Sequence, residues 1–139
     1  NSTCMGDYDE SKRYESKATL NEAFLIPNES TDEIKKAVME YGSVSFAALI
    51  VMEYFNGAAY YQDKYVGTNH EMIIVGWDDT YSVNNFRSDC KPSRSGAWLV
   101  KNSYDTSFGE NGYIWISYEE PSLNSFLVQD VSLKNKEKY

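Results

Sequence analysis

The chain has 139 residues, 42% hydrophobic and 15% aromatic, with 13 basic against 21 acidic residues for a formal net charge of -8. That length supports one domain with a real core, burying about two thirds of the surface an unfolded chain would expose. The basic residues are scattered except at the lysine-rich end, residues 134–138, which argues against nucleic-acid binding, and no run approaches the roughly 20 apolar residues of a membrane span.

Residues 1–16 are polar, include Gly6, and read as an N-terminal loop or a connection to an upstream half that this chain lacks. The absence of an initiating methionine fits a processed or truncated piece, and residues 17–139 then form the folded unit. Composition turns apolar over residues 17–26, predicting a strand that ends before Pro27. A helix follows. Ser30 and Glu33 form a capping box, Asp32 adds negative charge to the first turn, and Ile34, Ala37, Val38 and Tyr41 recur on one face before Gly42 stops it.

Residues 43–51 are β-branched and alanine-rich, as in a buried strand, and an aromatic segment with Tyr54, Phe55, Tyr60 and Tyr61 is broken by Asn56-Gly57. Beyond it come a strand headed by His70, a polar loop over residues 78–95, a strand containing Trp98, a glycine turn, a strand over residues 113–118, and a last strand over residues 125–133. Short strands joined by turns predict an α+β fold: a mostly antiparallel sheet, curled or barrel-like, with one main packed helix.

Two cysteines allow at most one disulfide, and their spacing suits no metal site; Asp78-Asp79 alone is too little for calcium. No metal and no cofactor are expected. Cys4 and Cys90 read as loop cysteines, with Lys91 and Arg94 placed to depress the Cys90 thiol pKa and Asp89 opposing them. Asn1-Ser2-Thr3 and Asn28-Glu29-Ser30 fit the glycosylation sequon, a pattern short enough to arise by chance. The three tryptophans are first of all core and sheet-face residues.

Chemistry concentrates in two blocks. Asn69-His70-Glu71-Met72-Ile73-Ile74-Val75-Gly76-Trp77 puts the one histidine at the head of an apolar run, and Trp98-Leu99-Val100-Lys101-Asn102-Ser103-Tyr104 ends another run with an asparagine. A solitary histidine is ordinarily a residue without chemistry, and an asparagine beside a serine ordinarily caps a turn. Together they suggest an imidazole oriented by a side-chain amide, the arrangement a general base needs.

These blocks, followed by Ser107-Phe108-Gly109-Glu110-Asn111-Gly112-Tyr113, resemble the C-terminal half of papain-like cysteine peptidases, most nearly bacterial secreted or surface-attached ones. The likeness runs more loosely over residues 17–118 and implies the right-hand domain of that fold. It implies His70 as catalytic base, Asn102 as its orienting residue, and Tyr104 and Phe108 as aromatics shielding the bond between them, where the family usually has tryptophan. Glu71 falls where the family borders its substrate pocket with a small residue, so a basic substrate side chain would be favoured there.

The nucleophile is the departure. The family's cysteine lies in a Cys-Gly-Ser-Cys-Trp type of sequence, roughly 130 to 150 residues before the histidine and asparagine. Cys4 is too near His70 and in the wrong context, and Cys90 lies between His70 and Asn102. The resemblance therefore implies, as partner, an N-terminal cysteine-bearing half of the same protein, with a peptide or protein substrate and a secreted or cell-surface location. The alternative is an inactive, peptidase-derived module that holds a peptide or protein.

Overall fold

A computed structural model describes residues 10–12 and 14–133. Cys4, most of the expected N-terminal loop and the lysine-rich end lie outside the described residues. The elements run β1 (Ala18–Leu25), α1 (Thr31–Tyr41), β2 (Val44–Ala48), β3 (Phe55–Asn56), β4 (Ala59–Tyr60), β5 (His70–Asp78), β6 (Ala97–Lys101), β7 (Tyr113–Ser117) and β8 (Asn124–Leu133). They form one helix against an eight-stranded sheet of order β1-β8-β2-β5-β6-β7-β4-β3. The fold class is the α+β one expected. Among the described residues the sheet is open, with β1 and β3 at its edges, and its one parallel pair joins β4 to β7.

The helix obeys its local signals in part. Ser30 caps it by accepting a 3.3 Å bond from Glu33 N–H, while the Glu33 carboxylate turns to Lys36 Nζ at 2.8 Å. Gly42 ends it in the left-handed region at φ 85, its N–H donating to Val38 O. That conformation costs glycine little and any residue with a Cβ more. Ile34, Ala37 and Val38 are buried against Phe46, Ile74, Trp98, Phe126 and Val128. Each fully buried aliphatic side chain contributes about 1.5–3 kcal/mol, so truncating Ile34 would open the helix–sheet seam.

The predicted strand over residues 43–51 is shorter, because the chain leaves the sheet after Ala48. The aromatic segment is in fact a hairpin, with Gly57 at φ 58 in its turn and Phe55 in register with Tyr60. Strand pairing then decides which side chains reach the site. Val44, Phe46 and Ala48 on β2 pair with Ile74, Met72 and His70 on β5. All but His70 are buried in the core. Side chains alternate along a strand, so His70 is the last core-facing residue of β5, half-buried at the rim of the sheet.

Candidate active site

The backbone at His70 is fixed by its neighbour. Asn69 Oδ1 accepts from Ile50 N–H at 2.8 Å and Asn69 Nδ2 donates to Ile50 O at 2.9 Å, while Asn69 N–H donates to Ala48 O. The side-chain amide thus reproduces one more rung of the β2–β5 ladder beyond the last backbone pair. A strand end that would fray is held in place.

Asn102 arrives from the other side. Lys101 pairs with Ile73, so the next residue falls opposite position 72, one diagonal step from His70. Asn102 N–H donates to Gly112 O at 3.1 Å, and the side chain is 3% exposed. His70 Nε2 lies 2.9 Å from Asn102 Oδ1, and Ser103 N–H donates to the same oxygen at 2.8 Å. A backbone N–H only donates, so the atom facing it is the amide oxygen. His70 must therefore carry its proton on Nε2 when neutral, which leaves the Nδ1 lone pair free to take one.

Two aromatic rings pack in series beside the imidazole. The Tyr104 ring stacks on the His70 imidazole at 5.5 Å between centroids, and Phe108 meets Tyr104 edge-on at 5.0 Å. The turn between them is built by Asp105, which accepts bonds from Ser107 N–H and Ser107 Oγ, so its carboxyl stays below its ordinary pKa. Gly109 sits at φ 61 where a Cβ would lie 2.2 Å from Tyr113 O. Only glycine fits there, directly after Phe108 in the turn.

Glu71 is in register with Ala47 and exposed, on the face of β5 opposite to His70. Cys90 corrects the sequence reading. Its thiol is half-buried and its pKa is raised, first by burial and then by the hydrogen bond to Asp63 at 3.5 Å. The expected cations are engaged elsewhere: Lys91 Nζ donates to Asn84 Oδ1 and Arg94 Nε to Glu119. Cys90 lines a cleft of about 410 Å³ with Tyr54, Tyr65 and Arg87, a cleft that neither His70 nor Asn102 lines. Among the described residues, no three His, Cys, Asp or Glu side chains group as metal ligands, and no helix is long and apolar enough to cross a membrane.

Sequence comparison gives the class of protein that carries this geometry. The model of the papain family cysteine proteases matches residues 1–132. The chain belongs to that family. It is 28% identical to falcipain-3 of Plasmodium falciparum over 78% of its length, and 31% identical to testin-2 of Mus musculus over 73%. It is also similar to cathepsin B-like cysteine proteinase 3 of Caenorhabditis elegans, at 25% identity over 82% of the chain.

Among solved structures it is similar to the cysteine protease and lectin-like domains of Cwp84, a surface layer associated protein of Clostridium difficile. There the TM-score is 0.78 and the identity 36% over 86% of the chain. A second Cwp84 structure, after propeptide cleavage, gives a TM-score of 0.80 and 34% identity over 94%. The chain spans only 22% to 29% of these curated relatives and 28% to 34% of the two solved chains.

Proposed function

We propose that this chain is the C-terminal, base-bearing half of a papain-like cysteine peptidase that hydrolyses peptide bonds at a bacterial cell surface. The observation that carries the reading is the convergence of His70 Nε2 and Ser103 N–H on Asn102 Oδ1, at 2.9 and 2.8 Å. It leaves Nδ1 as the proton acceptor. In the proposal residues 1–16 lead to the partner half, whose cysteine thiol gives its proton to Nδ1.

The resulting thiolate attacks the scissile carbonyl carbon. As the C–N bond breaks, the leaving amine takes the proton from the imidazolium, and an acyl-enzyme remains. Water then gives a proton to Nδ1 and attacks the thioester, and the thiol regains its proton as the acid product departs. Asn102 holds the ring throughout by accepting from Nε2, and Tyr104 and Phe108 keep water from that bond. No step calls on a cofactor.

Support for the location comes from Cwp84, which is surface layer associated. The position of Glu71 directly after His70 carries over a preference for a basic substrate side chain from the resemblance, although its side chain is exposed on the face of β5 opposite to the imidazole. Peptide hydrolysis by the full-length product and its labelling by a thiol-directed probe test the main reading; both are expected, with hydrolysis lost in His70→Ala. Glu71→Ala should narrow the difference in rate between lysine-containing and neutral peptides, and unchanged discrimination would remove Glu71 from the site.

A second reading has one observation in its favour. The described cysteine, Cys90, faces Asp63 and not His70. If the full-length product carries no reactive thiol, the chain is a peptidase-derived module that binds a peptide or protein along the old cleft edge. Absence of probe labelling together with peptide binding would select it.

A further inference from the structure

We propose that Phe55, in the β3–β4 hairpin, is a positioning residue for the His70 imidazole, acting through Phe108 and Tyr104. The inference rests on the reading of His70 as a base and adds to the site a residue from an element that carries none of the catalytic groups.

Four ring contacts run in series. Tyr104 stacks on His70 at 5.5 Å, Phe108 is edge-on to Tyr104 at 5.0 Å, Phe55 is edge-on to Phe108 at 5.4 Å, and Phe55 lies against Tyr60 at 4.8 Å. The far end of the series is rigid. Tyr60 is fully buried, donates from its hydroxyl to Leu49 O at 2.9 Å and accepts from Val51 N–H at 3.2 Å. The near end is not rigid by itself, since Tyr104 is 46% exposed. A half-exposed tyrosine keeps one rotamer only if its packing outweighs the rotamer entropy it gives up.

Edge-on ring pairs supply attraction with a defined angle, which a merely apolar wall does not. Phe55 is therefore the back-stop that keeps Phe108, and through it Tyr104, seated on the imidazole. Without it Tyr104 swings toward solvent and water reaches the His70–Asn102 bond. Phe55 also hangs from the segment that Asn69 clamps through Ile50, so the ring series and the strand end at His70 share one support.

The chain contains one histidine, so nitrogen NMR of the intact chain labelled at histidine reports this site alone. The unsubstituted chain should show the Nε2–H form of the neutral ring with a slowly exchanging proton. Phe55→Ala should speed exchange of that proton about tenfold, the equivalent of one lost aromatic pair, and populate the Nδ1–H form. Phe55→Tyr should restore the original signature, and Phe55→Leu should give the faster exchange even if the alanine variant fails to fold.

Ile34→Ala in α1 controls for general loosening and should leave the imidazole signals in place. Unchanged exchange in folded Phe55→Leu, or the same change in Ile34→Ala, would overturn the proposal. A full-length product without peptidase activity whose Nε2 proton still responds to Phe55 would instead count against the peptidase reading.

Discussion

One oxygen of Asn102 serves both His70 Nε2, at 2.9 Å, and the backbone N–H that follows it, at 2.8 Å. The second bond prevents the amide from turning over, so the first always presents an acceptor to the imidazole. Asn102→Ala removes the acceptor while leaving His70 on its strand. On the proposed peptidase reading, kcat of the full-length product should fall roughly 10²-fold with a smaller change in KM, the signature of a lost orienting group rather than a lost substrate contact. An equal rise in KM at constant kcat would say that Asn102 shapes the cleft instead.

The Asn69 clamp predicts a different pattern. Asn69→Ala deletes two side-chain hydrogen bonds to Ile50 and leaves both Ile50 backbone groups to solvent. The loss of stability should be modest, about 1–2 kcal/mol by urea unfolding, because water can replace exposed partners. Amide exchange of residues 49–51 and of His70 should rise well beyond that of β6. Uniformly raised exchange would mean that the clamp supports the whole sheet and not its rim.

Much of this arrangement is written in local sequence, and what is missing shares one physical cause. The helix announces its start and stop through Ser30 and Gly42, and the His70 strand through its apolar run, because these signals act within a few residues. The β3–β4 hairpin was legible only as an aromatic stretch broken by Asn56-Gly57. Its strands are two residues each, and β4 is completed by parallel pairing with β7, far along the chain. The Cys90 thiol illustrates the same limit. Neighbours in sequence predicted a lowered pKa, whereas the tertiary fold directs Lys91 and Arg94 elsewhere and brings Asp63 to the sulfur. Phe55 was legible only as one ring of that aromatic stretch, since its role depends on the contact with Phe108 made across the fold.

Glu119 should make the domain acid-sensitive. Burial alone would raise its carboxyl pKa, but bonds from Ser93 and Arg94, through both side chains and both backbone N–H groups, win and bring it from 4.5 down to about 2. A carboxyl depressed on folding stabilises the folded state above its unfolded value near 4.5, and that contribution disappears as the pH falls toward 2. Its size should be about 1–3 kcal/mol after allowance for solvent screening. Unfolding by urea at a series of pH values, for the chain and for Glu119→Gln, should show two stabilities that converge over this interval. Parallel curves would mean that the Ser93 and Arg94 bonds do not discriminate the charged form.

Glu120, the next residue, should behave in the opposite sense. Its carboxylate, 4% exposed, accepts from Gln62 N–H at 2.9 Å, Gln62 Nε2 at 2.7 Å, Ser122 N–H at 3.2 Å and Ser122 Oγ at 2.7 Å. Burial raises its pKa and outweighs these four donors. The charged form therefore costs stability at neutral pH, and the cost is relieved as the pH falls through a folded-state pKa above 4.5. Yet the site is built from donors: Gln62 also accepts from Lys64 N–H and Tyr65 N–H and donates to Tyr65 O, and Ser122 Oγ accepts from Leu49 N–H. Glu120→Ala would strand those donors in the interior and should lose about 3 kcal/mol or more. Glu120→Gln should lose less. Measured against Glu120→Gln, in which Glu119 is unchanged, the unsubstituted chain should gain relative stability on acidification. A relative loss would show that the four donors, rather than burial, set the charge of this carboxyl group.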